Sequence, residues 1–178
     1  MFRSTGAVTA CVTLVLVLAA CGASAGGRSN VTALIVLDRS IGGVALKGQR
    51  SDVERSLGRG LVVHTEDQKP PEPPVHGEQV LYAKYGLEVW YVSRNATPSG
   101  RARSRVIVVQ THSPRYRTAQ GLHVGSSAKA LRAVGGVNCY HADTECQHGY
   151  NALNQAGTTF RLDRPGGTIV EIAMAFGH

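Results

Sequence analysis

The stretch 79-QVLYAKYGLEVWYV-92 contains two strand candidates, 79-QVLYAKY-85 and 85-YGLEVWYV-92, and the second has the alternation of a β-strand that buries one face. The next apolar run, 104-SRVIVVQT-111, is a third strand candidate, and the polar residues 93–103 are expected to close a hairpin. This region therefore predicts an antiparallel sheet. In its second strand, successive side chains fall on opposite faces: Leu87, Val89 and Tyr91 on one, Glu88 and Trp90 on the other.

A strand, a helix and a loop are predicted upstream of this sheet. Residues 31-VTALIVL-37 are strand-like, and a Pro-rich loop is expected over residues 68–78. The helix between them has a capping box, an apolar face and a terminating glycine: Ser51 with Glu54, Val53 with Leu57, and Gly58.

The second half of the chain repeats this order of elements. The segment 43-GVAL-46 matches 121-GLHV-124, Val53 matches Leu131 at the same offset, and Gly135 ends a second helix. Two strand segments also recur: 86-GLEVWYV-92 aligns with 157-GTTFRLD-163, and 104-SRVIVVQT-111 aligns with 167-GTIVEIAM-174. Unequal loops account for the different offsets, and the repetition predicts a duplicated unit.

Each predicted unit is a short helix followed by a meander of antiparallel strands. The predicted fold class is therefore α+β, with one repeat over residues 31–117 and a second over residues 118–178. In such a unit the helix covers one face of the sheet and leaves the other face open.

This arrangement resembles the β-lactamase inhibitor protein and SmpA/OmlA group of small envelope and secreted modules. The resemblance covers most of residues 41–175 and is carried by the two Gly-Val/Leu-x-Leu/Val segments with the helices and strands that follow them. In that group the helix follows a Leu-Gly-Met/Leu-Ser/Thr type start, which 124-VGSS-127 approaches and 46-LKGQ-49 does not. The resemblance implies a binding or scaffolding protein without naming its target.

The N-terminal residues have the order of a secretory signal. Residues 7–20 are uncharged and apolar, follow a leader whose charged side chain is Arg3, and end on small residues. The run is shorter than the about 20 apolar residues of a transmembrane helix. Leu18-Ala19-Ala20-Cys21 resembles the lipobox of bacterial lipoproteins, in which the cysteine receives diacylglycerol and becomes the first residue.

These features predict where in the cell the protein is located. We expect a signal peptide over residues 1–20, a lipid such as palmitate at Cys21, and a small-residue tether over residues 21–30. The protein would then be held on the extracytoplasmic side of a bacterial membrane through its lipid anchor. Ordinary secretion, with Cys21 as an odd thiol, is the alternative.

The charge of the chain is basic but gives no sign of a nucleic-acid partner. The chain has 19 Lys+Arg against 12 Asp+Glu, a formal charge of +7. Its basic residues lack the aromatic interleaving of single-strand binders, so we expect a solvated face attracted to anionic envelope polymers or lipid headgroups. The densest group is Arg101, Arg103, Arg105, Arg115 and Arg117.

Two cysteines remain once Cys11 leaves with the signal and Cys21 is lipidated. Cys139 and Cys146 lie close together and are expected to form a disulfide in an oxidising envelope. The alternative is a metal site, since Cys139-x-His141 and Cys146-x-His148 place four potential zinc ligands within ten residues. That spacing is unusual for a closed zinc site, and thiols outside the cytoplasm tend to oxidise.

No catalytic residue and no cofactor are predicted. The segment 126-SSAK-129 matches the S-x-x-K motif of penicillin-recognising enzymes, but no S-D-N or K-T-G motif follows, and the repeat makes these serines a helix cap. An envelope enzyme or metal-binding factor using the Cys/His segment is the alternative class of function. Four loop histidines are expected to be solvated: His64, His76, His112 and His123.

A protein-binding surface is the functional prediction that remains. Trp90 is expected on the open sheet face, because its equivalent in the second repeat is Arg161, a residue that seldom lies in a core. The alternative is a half-buried tryptophan that shields the sheet or the tether. Tyr82, Tyr116 and Arg161 are weaker candidates for the same patch. Trp, Tyr and Arg are common anchors of protein interfaces, so the sequence predicts a non-catalytic protein-binding module.

Overall fold

The structure, a computed structural model, describes residues 32–68, 75–150 and 156–176. The predicted signal peptide, the lipidation site Cys21 and the tether lie outside the described residues. No helix within those three ranges is long and apolar enough to cross a membrane.

The described residues form twelve strands and three short helices, with a 3-10 turn at Ala83–Tyr85. The first half contains β1 (Leu34–Val36), β2 (Ser40–Ile41), β3 (Val44–Ala45), α1 (Arg50–Leu57), β4 (Leu61–Gln68), β5 (Val75–Tyr82), β6 (Leu87–Ser93), α2 (Pro98–Ala102) and β7 (Arg105–Thr111). The second half contains β8 (Arg117–Thr118), α3 (Ala128–Arg132), β9 (Val137–Tyr140), β10 (Glu145–His148), β11 (Ala156–Leu162) and β12 (Ile169–Phe176).

The strands build one large sheet and one small sheet. The large sheet has eight strands in the order β4-β5-β6-β7-β12-β11-β10-β9, and its neighbours are all antiparallel. The small sheet has the order β3-β2-β1-β8, with β1 parallel to β8. The predicted α+β class is confirmed, and the strands of the large sheet are antiparallel as predicted.

The core lies between one face of the large sheet and a layer made of the small sheet, α1 and α3. Fully buried side chains come from both layers: Val89, Phe160 and Ile172 from the large sheet, Ile41 from the small sheet, and Leu131 from α3. Their burial supplies the main stabilising free energy. We call the core side of the large sheet its inner face and the other side its outer face.

The alternation predicted for β6 is confirmed. Leu87, Val89 and Tyr91 are buried on the inner face, whereas Glu88 and Trp90 are half-buried on the outer face. The predicted hairpin also forms, since β6 and β7 pair antiparallel.

The helix ends follow the predictions in part. Gly58 ends α1 at φ 80°, where its N–H donates to the Glu54 carbonyl, and Ser127 caps α3 by accepting from the Ala130 N–H. The capping box at Ser51 is wrong, because Gln49 precedes the helix and its bridge to β7 starts the first turn earlier. α3 ends at Ala133 rather than at Gly135.

One edge of the large sheet is an exposed strand that the sequence patterns did not predict. β4 carries three exposed apolar side chains in a row, Leu61, Val62 and Val63, and its register shifts between Val62 and His64. The predicted loop over residues 68–78 is also partly strand, because β5 begins at Val75.

The predicted disulfide is present. Cys139 on β9 and Cys146 on β10 are opposite each other in the ladder and are bonded, with Cys146 fully buried. The turn between them holds three consecutive non-glycine residues at positive φ: His141 (51°), Ala142 (54°) and Asp143 (64°). Such residues favour other conformations, so the turn needs support from the strands and the bridge.

Removal of either cysteine should destabilise the fold. Cys139→Ala and Cys146→Ala should each lower the free energy of unfolding by about 2–3 kcal/mol, because the disulfide reduces the conformational entropy of the unfolded chain. The double variant should lower it by little more than either single variant. Denaturant unfolding measures this. Reductant should lower the stability of the parent and leave that of the double variant unchanged; an equal response of both would contradict the assignment.

Candidate functional site

The open part of the molecule is the outer face of the large sheet around Trp90. In register, Trp90 lies between Gln79 on β5 and Val108 on β7. Its indole ring is tilted against the His64 imidazole of β4, with 6.1 Å between the ring centroids. The indole is half-buried by these neighbours and keeps one part of its surface accessible.

A polar network surrounds Glu88 next to this tryptophan. The Glu88 Oε1 atom accepts hydrogen bonds from the Gln110 Nε2 atom at 2.8 Å, from the Trp90 Nε1 atom at 3.4 Å, and from the Gln79 amide. The network therefore links β5, β6 and β7 across the outer face and orients the carboxylate and the indole together. We call Gln79, Glu88, Trp90 and Gln110 the outer-face network.

Arg161 lies on the same face but not beside Trp90. It is on β11, three strands away from β6, which corresponds to roughly 14 Å across a sheet. Its Nη2 atom is 2.7 Å from the Glu171 Oε2 atom, and half of the Arg161 side chain is exposed. Trp90 and Arg161 thus lie on one open surface, and their roles in binding stay a prediction.

Tyr82 and Tyr116 do not belong to this surface, so their assignment to the Trp90 patch is wrong. Tyr82 points to the inner face and its hydroxyl is 2.9 Å from that of Tyr91. Tyr116 is fully buried and donates to the Tyr85 carbonyl at 2.6 Å. Tyr82 is on the opposite side of its strand from Gln79, a consequence of strand alternation.

A second set of polar residues was missed by the sequence patterns. It lies on the inner face where α1 and α2 approach β4 and β5, and it contains three cations and three carboxylates in contact. We call it the buried charge cluster after its buried members Arg50, His76 and Glu78. Half-buried Glu54 and the exposed Asp67 and Arg101 complete it from its rim.

Glu78 is the centre of this cluster. Its Oε1 atom is 2.6 Å from the Arg101 Nε atom and 2.9 Å from the His76 Nε2 atom, and its Oε2 atom accepts from Arg50. Burial raises the pKa of Glu78, but the hydrogen bonds from His76 and Arg50 outweigh it and leave the pKa below its usual value. The carboxylate is therefore held ionised.

His76 is held as an imidazolium. Its Nδ1 atom is 2.6 Å from the Asp67 Oδ1 atom, while its Nε2 atom faces Glu78. A carboxylate beside each ring nitrogen favours the form of the ring in which both nitrogens donate. The hydrogen bonds to Asp67 and then to Glu78 raise the pKa of His76, against the effect of burial. The prediction that His76 is solvated is wrong; His64 and His112 are exposed.

The charged groups of the buried charge cluster are paired with one another and do not form a binding site. Its formal charges cancel, and no buried side-chain nitrogen or oxygen in the described ranges lacks a partner. The signal that could have revealed it is the position of His76 and Glu78, which share the strand parity of the core residues Val80 and Tyr82. The cluster ties α1 and the edge strand β4 to the sheet.

The Cys/His segment does not assemble as four ligands. Both sulfurs are consumed in the disulfide, His141 lies in the exposed turn, and the His148 Nδ1 atom is 2.9 Å from the Asp38 Oδ2 atom. In the part of the chain that the structure describes, no group of three or more His, Cys, Asp or Glu could hold a metal ion.

The charge cluster predicts how stability depends on pH. Because the folded-state pKa of His76 is raised, its contribution is complete below the unfolded value of about 6.5 and is lost as pH rises through the folded value. The melting temperature of the parent should therefore fall as the pH rises through the folded-state pKa of His76. His76→Gln should remove that fall, while the exposed control His64→Gln should keep it; equal pH profiles for the three would refute the prediction.

Comparisons with known proteins identify no family. The chain matches no protein-family model and no curated protein. It overlaps with a solved structure described as the uncharacterized protein yfeY from Escherichia coli, over 78% of this chain and 97% of that chain. The sequence identity is 7% and the TM-score is 0.43, a likeness that carries no argument about function.

Proposed function

We propose that this chain is a lipid-anchored protein of the bacterial envelope that binds another protein and catalyses no reaction. The observation that carries the proposal is the outer face of the large sheet, which no described element covers and where Trp90 is half-buried in an ordered polar network. Aromatic residues in partly buried positions are common interface anchors. Arg161 is a second candidate contact on the same face.

The anchor part of the proposal rests on the sequence before the described residues. An apolar run that ends in Leu18-Ala19-Ala20-Cys21 is the arrangement that directs export and lipidation. Two or more acyl chains at Cys21 would hold the protein on a bilayer persistently, because each buried methylene contributes about 0.8 kcal/mol. The described body then begins at residue 32, two residues before β1.

We also propose that the body is a tandem duplication, and the ladders of its two inner hairpins support this. The alignment of β6 with β11 and of β7 with β12 maps one set of paired residues onto the other, including a bulge after Trp90 and after Arg161. The equivalent pairs are Leu87–Thr111 with Thr158–Met174, Val89–Val109 with Phe160–Ile172, Trp90–Val108 with Arg161–Glu171, and Tyr91–Val106 with Leu162–Ile169.

The backbone contacts that lead into the two helices give independent support. Each helix is preceded by an isolated bridge to a strand start, Gln49 with Arg105 and Ser127 with Thr168. Three N–H to O bonds recur: Lys47 to Val106 (2.8 Å) as Gly125 to Ile169 (2.7 Å), Val106 to Gly48 (2.9 Å) as Ile169 to Ser126 (2.9 Å), and Arg50 to Ser104 (2.9 Å) as Ala128 to Gly167 (2.9 Å).

The duplication explains why one continuous binding face is available. In the alignment Thr111 corresponds to Met174 and Val109 to Ile172, so the ladder pair Thr111–Ile172 maps onto the ladder pair Val109–Met174. A local two-fold axis therefore passes between Gln110 and Ala173. The two meanders therefore present the same side to solvent. The alternative function, an enzyme or metal-binding factor using Cys139 and Cys146, would need thiolates that the disulfide removes.

The anchor is tested by Cys21→Ser. The variant should still be exported, because the apolar run is intact, but it should appear in the soluble fraction, since the sulfur that carries the lipid is gone. Fractionation of cells with and without high salt measures the difference. A variant that stays as firmly bound to membranes as the parent would overturn the lipid anchor.

The binding face is tested by Trp90→Ala. The free energy of unfolding should fall by only about 1 kcal/mol, because the indole is half-buried, whereas partner affinity should fall by about 2 kcal/mol or more. Chemical crosslinking in cells followed by binding of the purified partner measures the affinity. Tyr140→Ala, an exposed aromatic on the far edge strand β9, is the matched control. Equal affinities of both variants and the parent would contradict the proposal.

A further inference from the structure

Glu88 has one carboxylate oxygen engaged and one available. All three hydrogen bonds to its side chain, from Gln79, Trp90 and Gln110, end on Oε1. Within the described ranges no residue donates to Oε2, and no buried side-chain oxygen there lacks a partner, so Oε2 of the half-buried Glu88 is not fully buried. A fixed, accessible carboxylate oxygen is ready to accept a donor from another molecule.

The surroundings of Glu88 are unusually poor in cations for this chain. The whole chain has a formal charge of +7, yet strands β5, β6 and β12 contain no Lys or Arg, and β7 has one only at its first residue, Arg105. Glu88 makes no ion pair with a described residue, whereas Glu171 on β12 is paired with Arg161. The centre of the outer face is thus a local negative site on a basic protein.

We propose that Glu88 and Trp90 together receive a cationic side chain, Arg or Lys, from the protein partner. The inference rests on the proposed function and specifies the chemistry of its binding face. A cation placed over an indole gains from the ring electrons, and the neighbouring carboxylate oxygen accepts its N–H groups. The two side chains are already joined, with 3.4 Å between the Trp90 Nε1 and Glu88 Oε1 atoms.

The network makes this site preorganised. Gln79 and Gln110 on the two flanking strands hold the carboxylate from both sides, so Glu88 loses less conformational entropy when a cation binds than a freely rotating side chain would. The same charge repels anionic lipid headgroups, which favours a basic protein segment over a membrane surface as the occupant of the face.

The experiment uses Trp90 as its own reporter, because it is the only tryptophan of the chain. The purified full chain in an uncharged detergent is titrated with hexa-arginine, and in parallel with hexaglutamate, while the tryptophan fluorescence is recorded. Glu88→Gln removes the charge and keeps an acceptor for the two glutamines. Glu145→Gln, a carboxylate on β10 remote from Trp90, is the matched control.

We expect hexa-arginine to change the fluorescence of the parent and of Glu145→Gln with similar affinity. Glu88→Gln should bind at least tenfold more weakly, and hexaglutamate should have no effect. No fluorescence change up to millimolar hexa-arginine, or undiminished binding by Glu88→Gln, would overturn the inference.

The partner obtained by crosslinking separates this inference from the proposed function. If Trp90→Ala loses the partner and Glu88→Gln keeps it, the face binds a protein but not through a cation at Glu88. If both variants keep the partner, the binding face itself is wrong. Loss of the partner in both, with Tyr140→Ala unaffected, supports the two together.

Discussion

The antiparallel pairing of β7 with β12 is the contact on which the architecture depends. Among the described strands, it is the ladder that joins the two meanders, and it aligns Val109 with Met174 and Thr111 with Ile172 at the centre of the core. All four side chains are at most 1% exposed. Without this ladder each meander would keep an unpaired edge and half of a core, so the inner face and the outer face both exist because these two strands meet.

Much of the fold could be predicted, because buried positions that alternate along a strand and a glycine that ends a helix are local signals. The parity of Leu87, Val89 and Tyr91 depends only on burial of one side of a strand, and Gly58 ends α1 because the chain there needs a positive φ. The capping box at Ser51 failed because a tertiary contact, the bridge from Gln49 to β7, decides where the helix begins. β4 was missed since all its described side chains are exposed and so leave no core pattern.

The polar residues of the core were harder to predict than the apolar ones. His76 and Glu78 are polar residues in a segment rich in proline, which favours a loop. Glu78 is compensated by His76, Arg50 and Arg101, and His76 by Glu78 and Asp67, contacts that form only when two helices and β4 approach β5. The outer-face network was not predicted for a similar reason, because Gln79 and Gln110 reach Glu88 only after three strands are in register. Pairing across strands decides such sites, and a single sequence does not display it.

The exposed edge strand β4 has a consequence for the behaviour of many copies together. If the proposed lipid anchor holds many copies on one membrane, they meet at a high local concentration, where a long apolar edge is a template for sheet-to-sheet aggregation. The register shift after Val62 makes the two ends of β4 present different faces, so a second β4 cannot pair along its whole length. Glu66 and Asp67 add charge at the other end of the strand. The bulge thus limits pairing between two β4 edges, and deleting Val63 would give a straighter edge on which a second copy could pair over a greater length.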